Sequence, residues 1–306
     1  MNHLILTQVL TLFLLMGVGL AARRVGCITE AVSKGLSEFL MSFCMPMLVL
    51  SSFLRPFSAG MLANAGRMLL YGLIINLMLV GLGRLLFLKA SPEKRPALAF
   101  ITAFSNSGFM GIPLLAALFP IGGVFYGAVF GIAFTVCMFT LGVMLFNPGG
   151  SRPSLGQVLL NPVILSTFAG ILCFLFSVRL PVPVTSCLNL VGGMTSPLSM
   201  LIIGAMLGEV KLRDIWGGPA EYAVSAARLL LAPLLTLVVC RLLHVDPILA
   251  RILVILEALP AATIVAVFAE KYDGDRAFVS RCTFLTTALS ILTIPIMVKV
   301  MERFLG

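Results

Sequence analysis

The chain has 306 residues, of which 60% are hydrophobic and 11% are charged. Soluble domains carry about 25% charged residues, so this composition excludes a soluble globular protein. The net charge of +9 would suggest a nucleic-acid partner in a soluble protein. Here the basic residues lie between long apolar runs, where they set membrane topology, and no nucleic-acid partner is expected.

The apolar runs predict ten membrane-spanning helices, because a helix needs about 20 apolar residues to cross a bilayer. Transmembrane strands are excluded, because the apolar runs of this chain are much longer than the roughly 10 residues of alternating character that such a strand needs. The predicted spans are 4–22, 34–54, 61–88, 95–118, 121–146, 158–178, 184–207, 219–243, 247–270 and 277–301. The first span ends in Arg23 and Arg24, which is the reverse of the charge order in a cleaved signal peptide. We therefore expect this span to belong to the mature protein.

The connector "NPGGSRPSLGQ" at 147–157 divides the chain into two halves of five spans, 1–146 and 158–306. Pro46 and Pro113 in the first half are 67 residues apart, and Pro197 and Pro260 in the second are 63 apart. An odd number of spans per half inverts the second half in the bilayer. The pattern predicts an all-α integral membrane fold of two inverted five-helix repeats, typical of secondary transporters.

The basic residues predict the orientation of these spans. Connectors after the odd-numbered spans hold thirteen lysines and arginines, and the opposite side holds seven, with Arg228 inside span eight left out. Because positive charge is retained in the cytoplasm, the connector at 147–157 is expected there and both termini outside.

The segment "SNSGFMGIP" at 105–113 places weak helix formers inside span four. Pro113 removes a helical donor and clashes with the carbonyl of Phe109, while Gly108 and Gly111 weaken the same turns. We expect a broken helix here, and a second break in span nine at Pro260, next to Thr263. Paired breaks indicate a transporter's binding site, although one proline kink alone is more often a packing feature.

Four segments resemble the auxin efflux carrier family of permeases across the whole chain. "AFSNSGFMGIPLL" is similar to the family's first crossover motif, and "LPAATIVAVFAEKYDGD" to its second crossover and the acidic loop after it. "SEFLMSFCMPMLVLSSF" and "TSPLSMLIIGAML" resemble its second and seventh spans. The resemblance implies a scaffold domain, a transport domain whose broken helices four and nine cross at the substrate site, a homodimer in the cell membrane, and transport of malonate or another organic anion. We expect the crossing spans to rock or slide against spans one, two, six and seven.

The motif match carries Asn106, Gly108, Gly111, Pro113 and Pro260 over as site residues. The predicted substrate site as a whole consists of Ser105, Asn106, Ser107, Gly108, Gly111, Pro113, Leu259, Pro260, Ala261 and Thr263. The second crossover departs from the family, because Ala261, Ala262 and Ile264 stand where relatives often have an asparagine.

Two ionisable residues lie inside spans, where such groups indicate function by default. Glu257 could exchange a coupling proton, or it could be the fixed partner of a basic residue or bound cation. Arg228 could attract a carboxylate substrate, balance Glu257, or extend along its span to the cytoplasmic interface.

These features favour a secondary transporter for a small organic anion that works by alternating access, with a proton as one candidate coupling ion. The alternatives are sodium-coupled symport and a membrane sensor that binds its ligand without moving it. We expect no enzyme, no cofactor and no metal site, because the spans contain no nucleophile–base pair and no cluster of metal ligands.

Overall fold

A computed structural model describes residues 2–147, 160–209 and 217–305. Its thirteen helices in these ranges are α1 Asn2–Arg24, α2 Glu30–Phe53, α3 Ala59–Leu86, α4 Arg95–Ala103, α5 Ser107–Leu118, α6 Gly123–Phe146, α7 Pro162–Leu175, α8 Val182–Gly193, α9 Thr195–Glu209, α10 Pro219–Leu242, α11 Pro247–Glu257, α12 Val265–Lys271 and α13 Arg276–Leu305. Apart from one isolated bridge, the described ranges contain no β-structure.

The helices are those of an integral membrane protein. Among the described residues, six stretches are long and apolar enough to cross a membrane: Glu30–Phe53, Ala59–Leu86, Gly123–Phe146, Val182–Gly208, Pro219–Leu242 and Arg276–Leu305. Ser107–Leu118 and Pro162–Leu175 are shorter apolar helices. The all-helical membrane class is therefore confirmed, while the inverted relation of the two halves stays a prediction.

The helices fall on the ten predicted ranges, either singly or as consecutive pairs. Predicted span six starts at 158, whereas α7 starts at Pro162, because the Asn161 side chain caps it by accepting hydrogen bonds from the amides of Val163 and Ile164. Of the predicted connector 147–157, all but Asn147 lies outside the described residues.

Three prolines are accommodated in membrane helices by π turns. In each case the wider turn ends two residues before the proline: Leu40–Cys44 before Pro46 in α2, Ser107–Gly111 before Pro113 in α5, and Ala227–Leu231 before Pro233 in α10. A proline ring clashes with the carbonyl four residues upstream in a regular α-helix, and a π turn changes the path of that backbone. These helices therefore continue through their prolines.

The described residues form two compact units that do not coincide with the sequence halves. Unit one contains residues 2–69, 108–132 and 160–209, and unit two contains 70–107, 133–147 and 217–305. Helices α1, α2, α7, α8 and α9, which cover predicted spans one, two, six and seven, all lie in unit one.

Unit one is built around a close contact between α1 and α9. A Cβ atom added to Gly204 would lie 1.9 Å from the carbonyl oxygen of Met16, and one added to Gly19 would lie 2.1 Å from that of Leu201. Only glycine permits this backbone separation.

Unit two contains both helix breaks and the helices that surround them. Helix α4 packs against α10, α12 and α13, and α11 packs against α10 and α13. Gly83 of α3 lets the backbone of α4 approach, since a Cβ there would lie 2.8 Å from the carbonyl oxygen of Ala99. An aromatic group next to the breaks includes Phe100, which contacts Phe104 and Phe268 at ring-centroid distances of 4.7 and 4.9 Å.

Candidate functional site: two unwound segments that cross

The first break lies at residues 104–106, upstream of the position that the prolines and glycines predicted. Helix α4 ends at Ala103, and Phe104 is extended, with φ −108° and ψ 112°. The chain becomes helical again at Ser107, and Pro113 lies near the start of the regular part of α5, Ile112–Leu118. The expectation of a break in span four is thus correct, but its attribution to Pro113 is wrong, because the π turn Ser107–Gly111 accommodates that proline.

The second break spans residues 258–264. Helix α11 ends at Glu257. The last hydrogen bonds of this helix run from the amide of Ala258 to the carbonyls of Val254 and Ile255. Pro260 lies inside this unwound segment, where its missing N–H group costs no helical hydrogen bond. The chain returns to a helix at Val265.

The two unwound segments cross and pair antiparallel, with Ser105 opposite Ala261. The amide of Asn106 donates to the carbonyl of Pro260 at 2.8 Å, and the amide of Ala262 donates to the carbonyl of Phe104 at 3.0 Å. The amide of Ala261, which lies between Pro260 and Ala262, donates to the Thr286 hydroxyl of α13 at 3.2 Å. Irregular backbone at membrane depth is tolerated only where protein satisfies it, and here each break supplies a hydrogen-bond acceptor to an amide of the other.

Polar side chains on the first segment are buried beside this pairing. Ser105, Asn106 and Ser107 are 1%, 4% and 7% exposed. The Ser105 hydroxyl has no hydrogen-bond partner within the described ranges. Buried polar groups are normally paired, so this unpaired hydroxyl is an exception.

A buried ion pair joins the ends of the two broken helices. Arg228 of α10 and Glu257 are both fully buried, and the Arg228 Nη2 atom lies 2.5 Å from the Glu257 Oε2 atom. The same Nη2 also donates to the Glu257 carbonyl, and Nη1 donates to the carbonyl of Thr102 at 2.8 Å. One guanidinium group therefore binds the last turns of both α4 and α11.

This arrangement corrects one sequence expectation. Arg228 does not reach the cytoplasmic interface, because its side chain is fully buried and held by Glu257 and two carbonyl oxygens. Of the alternatives considered for Arg228, its contacts fit the one in which it balances the charge of Glu257.

The predicted site residues divide between the two units. Unit two contains Ser105, Asn106, Ser107, Arg228, Glu257, Leu259, Pro260, Ala261 and Thr263, with Leu259 fully buried and Thr263 partly exposed. Gly108, Gly111 and Pro113 belong to unit one, where the Pro113 carbonyl accepts a 3.5 Å hydrogen bond from Ser196.

Sequence reasoning missed Thr286, whose hydroxyl supports the second segment. The cluster "TFLTT" inside span ten could have indicated it, since hydroxyl groups inside a span pair with backbone. In the part of the chain that the structure describes, no three His, Cys, Asp or Glu side chains are grouped as metal ligands would be.

Comparison with known proteins agrees with this architecture. The model of a family described as "Membrane transport protein" matches residues 4–155 and again 152–298. An "Uncharacterized transporter" of Methanothermobacter thermautotrophicus is 26% identical over 94% of the chain and 95% of its own length. One from Methanocaldococcus jannaschii is 23% identical over the same shares.

A third relative is named for a substrate. A Rhizobium meliloti protein named "Putative malonate transporter" is 30% identical over 64% of this chain and 63% of its own length. The family and these relatives are transporters, not enzymes. With the family model covering nearly its full length, the chain belongs to the membrane transport protein family, that of the auxin efflux carriers.

Proposed function

We propose that the chain is a secondary transporter that binds a small organic anion, such as a carboxylate, at the crossing of its unwound segments and moves it by alternating access. The observation that carries this proposal is the pairing of residues 104–106 with residues 260–262 beside buried, polar side chains. Discontinuous helices of this kind form substrate sites in many transporter folds.

The electrostatics at the crossing favour an anionic ligand. The C-terminal ends of α4 and α11 carry the negative ends of helix dipoles, and the Arg228 guanidinium binds a carbonyl group at each of these ends. The helix that begins at Ser107 presents the positive end of its dipole, and the Asn106 amide group supplies donors next to it. A carboxylate is the simplest ligand for this set of donors, and the name of the Rhizobium relative supports the same substrate class.

Of the two roles considered for Glu257, the contact with Arg228 favours charge pairing over proton exchange. Protonating Glu257 would leave a buried guanidinium without its counter-charge, which is strongly unfavourable. We therefore propose a fixed pair. Loss of the response to an imposed pH gradient in Glu257→Gln, with uptake retained, would contradict it and restore proton coupling.

We also propose a multi-pass protein of the cell membrane with ten crossings in two inverted halves, both termini outside, and a homodimeric assembly. The excess of basic residues in the odd-numbered connectors supports the orientation. The family resemblance supports the inverted repeat and the dimer. The glycine pair Gly204 and Gly208 is not a free dimer contact, because within the protomer it faces Met16 and Arg23 of α1.

The proposal is tested by uptake of labelled malonate and a panel of mono- and dicarboxylates into proteoliposomes. Asn106→Ala should lower uptake by about 10- to 100-fold, the effect of losing a hydrogen bond to a charged ligand. Asn64→Ala is the matched control, because Asn64 forms only a surface contact with Arg67 and should transport normally. Ligand binding without flux in the wild type would favour the sensor alternative. Equal uptake by both variants would contradict anion binding at the crossing.

A further inference from the structure

The crossing gathers three oxygen atoms that together suit a cation. Helices α4 and α11 end there, which frees the carbonyl groups of their last turns, and the Glu257 carboxylate lies beside them. In transporters with broken helices, such unwound carbonyls and helix C-terminal ends coordinate the coupling cation. The dipoles of the two helices add negative potential at the same place.

In this chain a side chain already fills that position. The Arg228 guanidinium contacts the Thr102 carbonyl, the Glu257 carbonyl and the Glu257 carboxylate, and no water-facing surface remains on either charged group. Its planar set of donors can serve three acceptors at once, which a lysine ammonium on a flexible stem does less well.

We propose that Arg228 is the resident cation of the crossing, so that anion transport by this chain does not require sodium. The inference rests on the proposed function, because it assigns the coupling chemistry of the same site. A sodium ion bound to these oxygen atoms would lie against the guanidinium group, and the two like charges would repel in a medium of low dielectric constant. Arg228 is thus a positioning residue that holds both helix ends together.

The proposal predicts that removing Arg228 exposes a site for a free cation. Wild-type uptake into proteoliposomes should be equal in sodium chloride and in choline chloride. Arg228→Ala should lose uptake in choline by at least about 100-fold, the effect of leaving one member of a buried pair alone. Added guanidinium ion should restore much of it, and sodium part of it. Arg241→Ala is the control, since Arg241 also donates to a backbone carbonyl, that of Phe304, but lies at an exposed site.

A second readout separates this inference from the proposed function. The melting temperature of purified Arg228→Ala should rise with low concentrations of guanidinium ion, and that rise should vanish when Glu257→Gln is added. This measurement decides the role of Arg228 even if the wild type moves no anion that is tested. If Arg228→Ala cannot be purified, Arg228→Lys retains the cation and should remain independent of sodium at reduced rate.

Three results would overturn the proposal. They are a wild type or an Arg228→Lys variant that needs sodium, an Arg228→Ala variant with full uptake in choline, and an Arg228→Ala variant that neither guanidinium nor sodium stabilises or rescues.

Discussion

The two unwound segments at the crossing differ in length and in chemistry. The first has three residues and carries polar side chains at Ser105 and Asn106, whereas the second covers 258–264 and is apolar until Thr263. The second segment contributes mainly backbone, through the carbonyl of Pro260 and the amides of Ala261 and Ala262. On the proposed function, the first segment would supply side chains for a ligand, and the second segment would supply the backbone frame that holds them.

The largest expected effect on stability comes from Arg228, because this one side chain binds the helix ends next to both segments. Arg228→Met should lower the free energy of unfolding by about 3–5 kcal/mol, because Glu257 is left buried without its counter-charge. The double variant Arg228→Met, Glu257→Met should recover most of that loss, since a buried pair is replaced by apolar side chains. Thermal melts of the purified variants in one detergent would measure both, and equal destabilisation of the single and double variants would contradict the ion pair's role.

A smaller effect tests the frame alone. Thr286→Val keeps the shape of the side chain but removes the acceptor of the Ala261 amide, and should cost about 1–3 kcal/mol for an unsatisfied buried donor. Thr283→Val provides the comparison, because the Thr283 hydroxyl only donates to the Val279 carbonyl one turn earlier in the same helix. Melting temperatures that fall equally for both variants would show that Thr286 does not support the second segment.

The smallest effect on stability tests the ligand side of the comparison. Ser105→Ala removes a hydroxyl that has no partner among the described residues, so the free energy of unfolding should change by less than about 0.5 kcal/mol. Uptake of the anion should nevertheless fall, by about threefold to tenfold, if that hydroxyl donates to the ligand. A variant that is clearly less stable yet transports normally would assign Ser105 to the frame instead.

The sequence allowed the second break to be placed better than the first. Pro260 lies within its unwound segment, so a local rule was sufficient there. In the first half the same rule pointed to Pro113, but the helix opens at residues 104–106, which contain neither proline nor glycine. That opening depends on pairing with Pro260 and Ala262, about 155 residues further along the chain, and local helix propensity contains no such information.

The charged pair was also only partly predictable. Both Glu257 and Arg228 are visible as ionisable residues inside spans, and that alone identifies them as important. Their contact depends on how α10 packs against α11, and the carbonyl groups that Arg228 binds exist only because the helices end where they do. Composition was sufficient to predict the ten apolar ranges, but the contact between Arg228 and Glu257 could be seen only in the three-dimensional structure.

Arg228 lies within the π turn Ala227–Leu231 that precedes Pro233. A π turn holds one residue more than an α turn, and one residue corresponds to about 100° of rotation around the helix axis. If a substitution at Pro233 let α10 relax into regular α geometry, the guanidinium would swing about a quarter of a circle away from the carbonyls it holds. A substitution five positions along the helix would then break the contacts of Arg228 at the crossing, without changing any residue that Arg228 contacts.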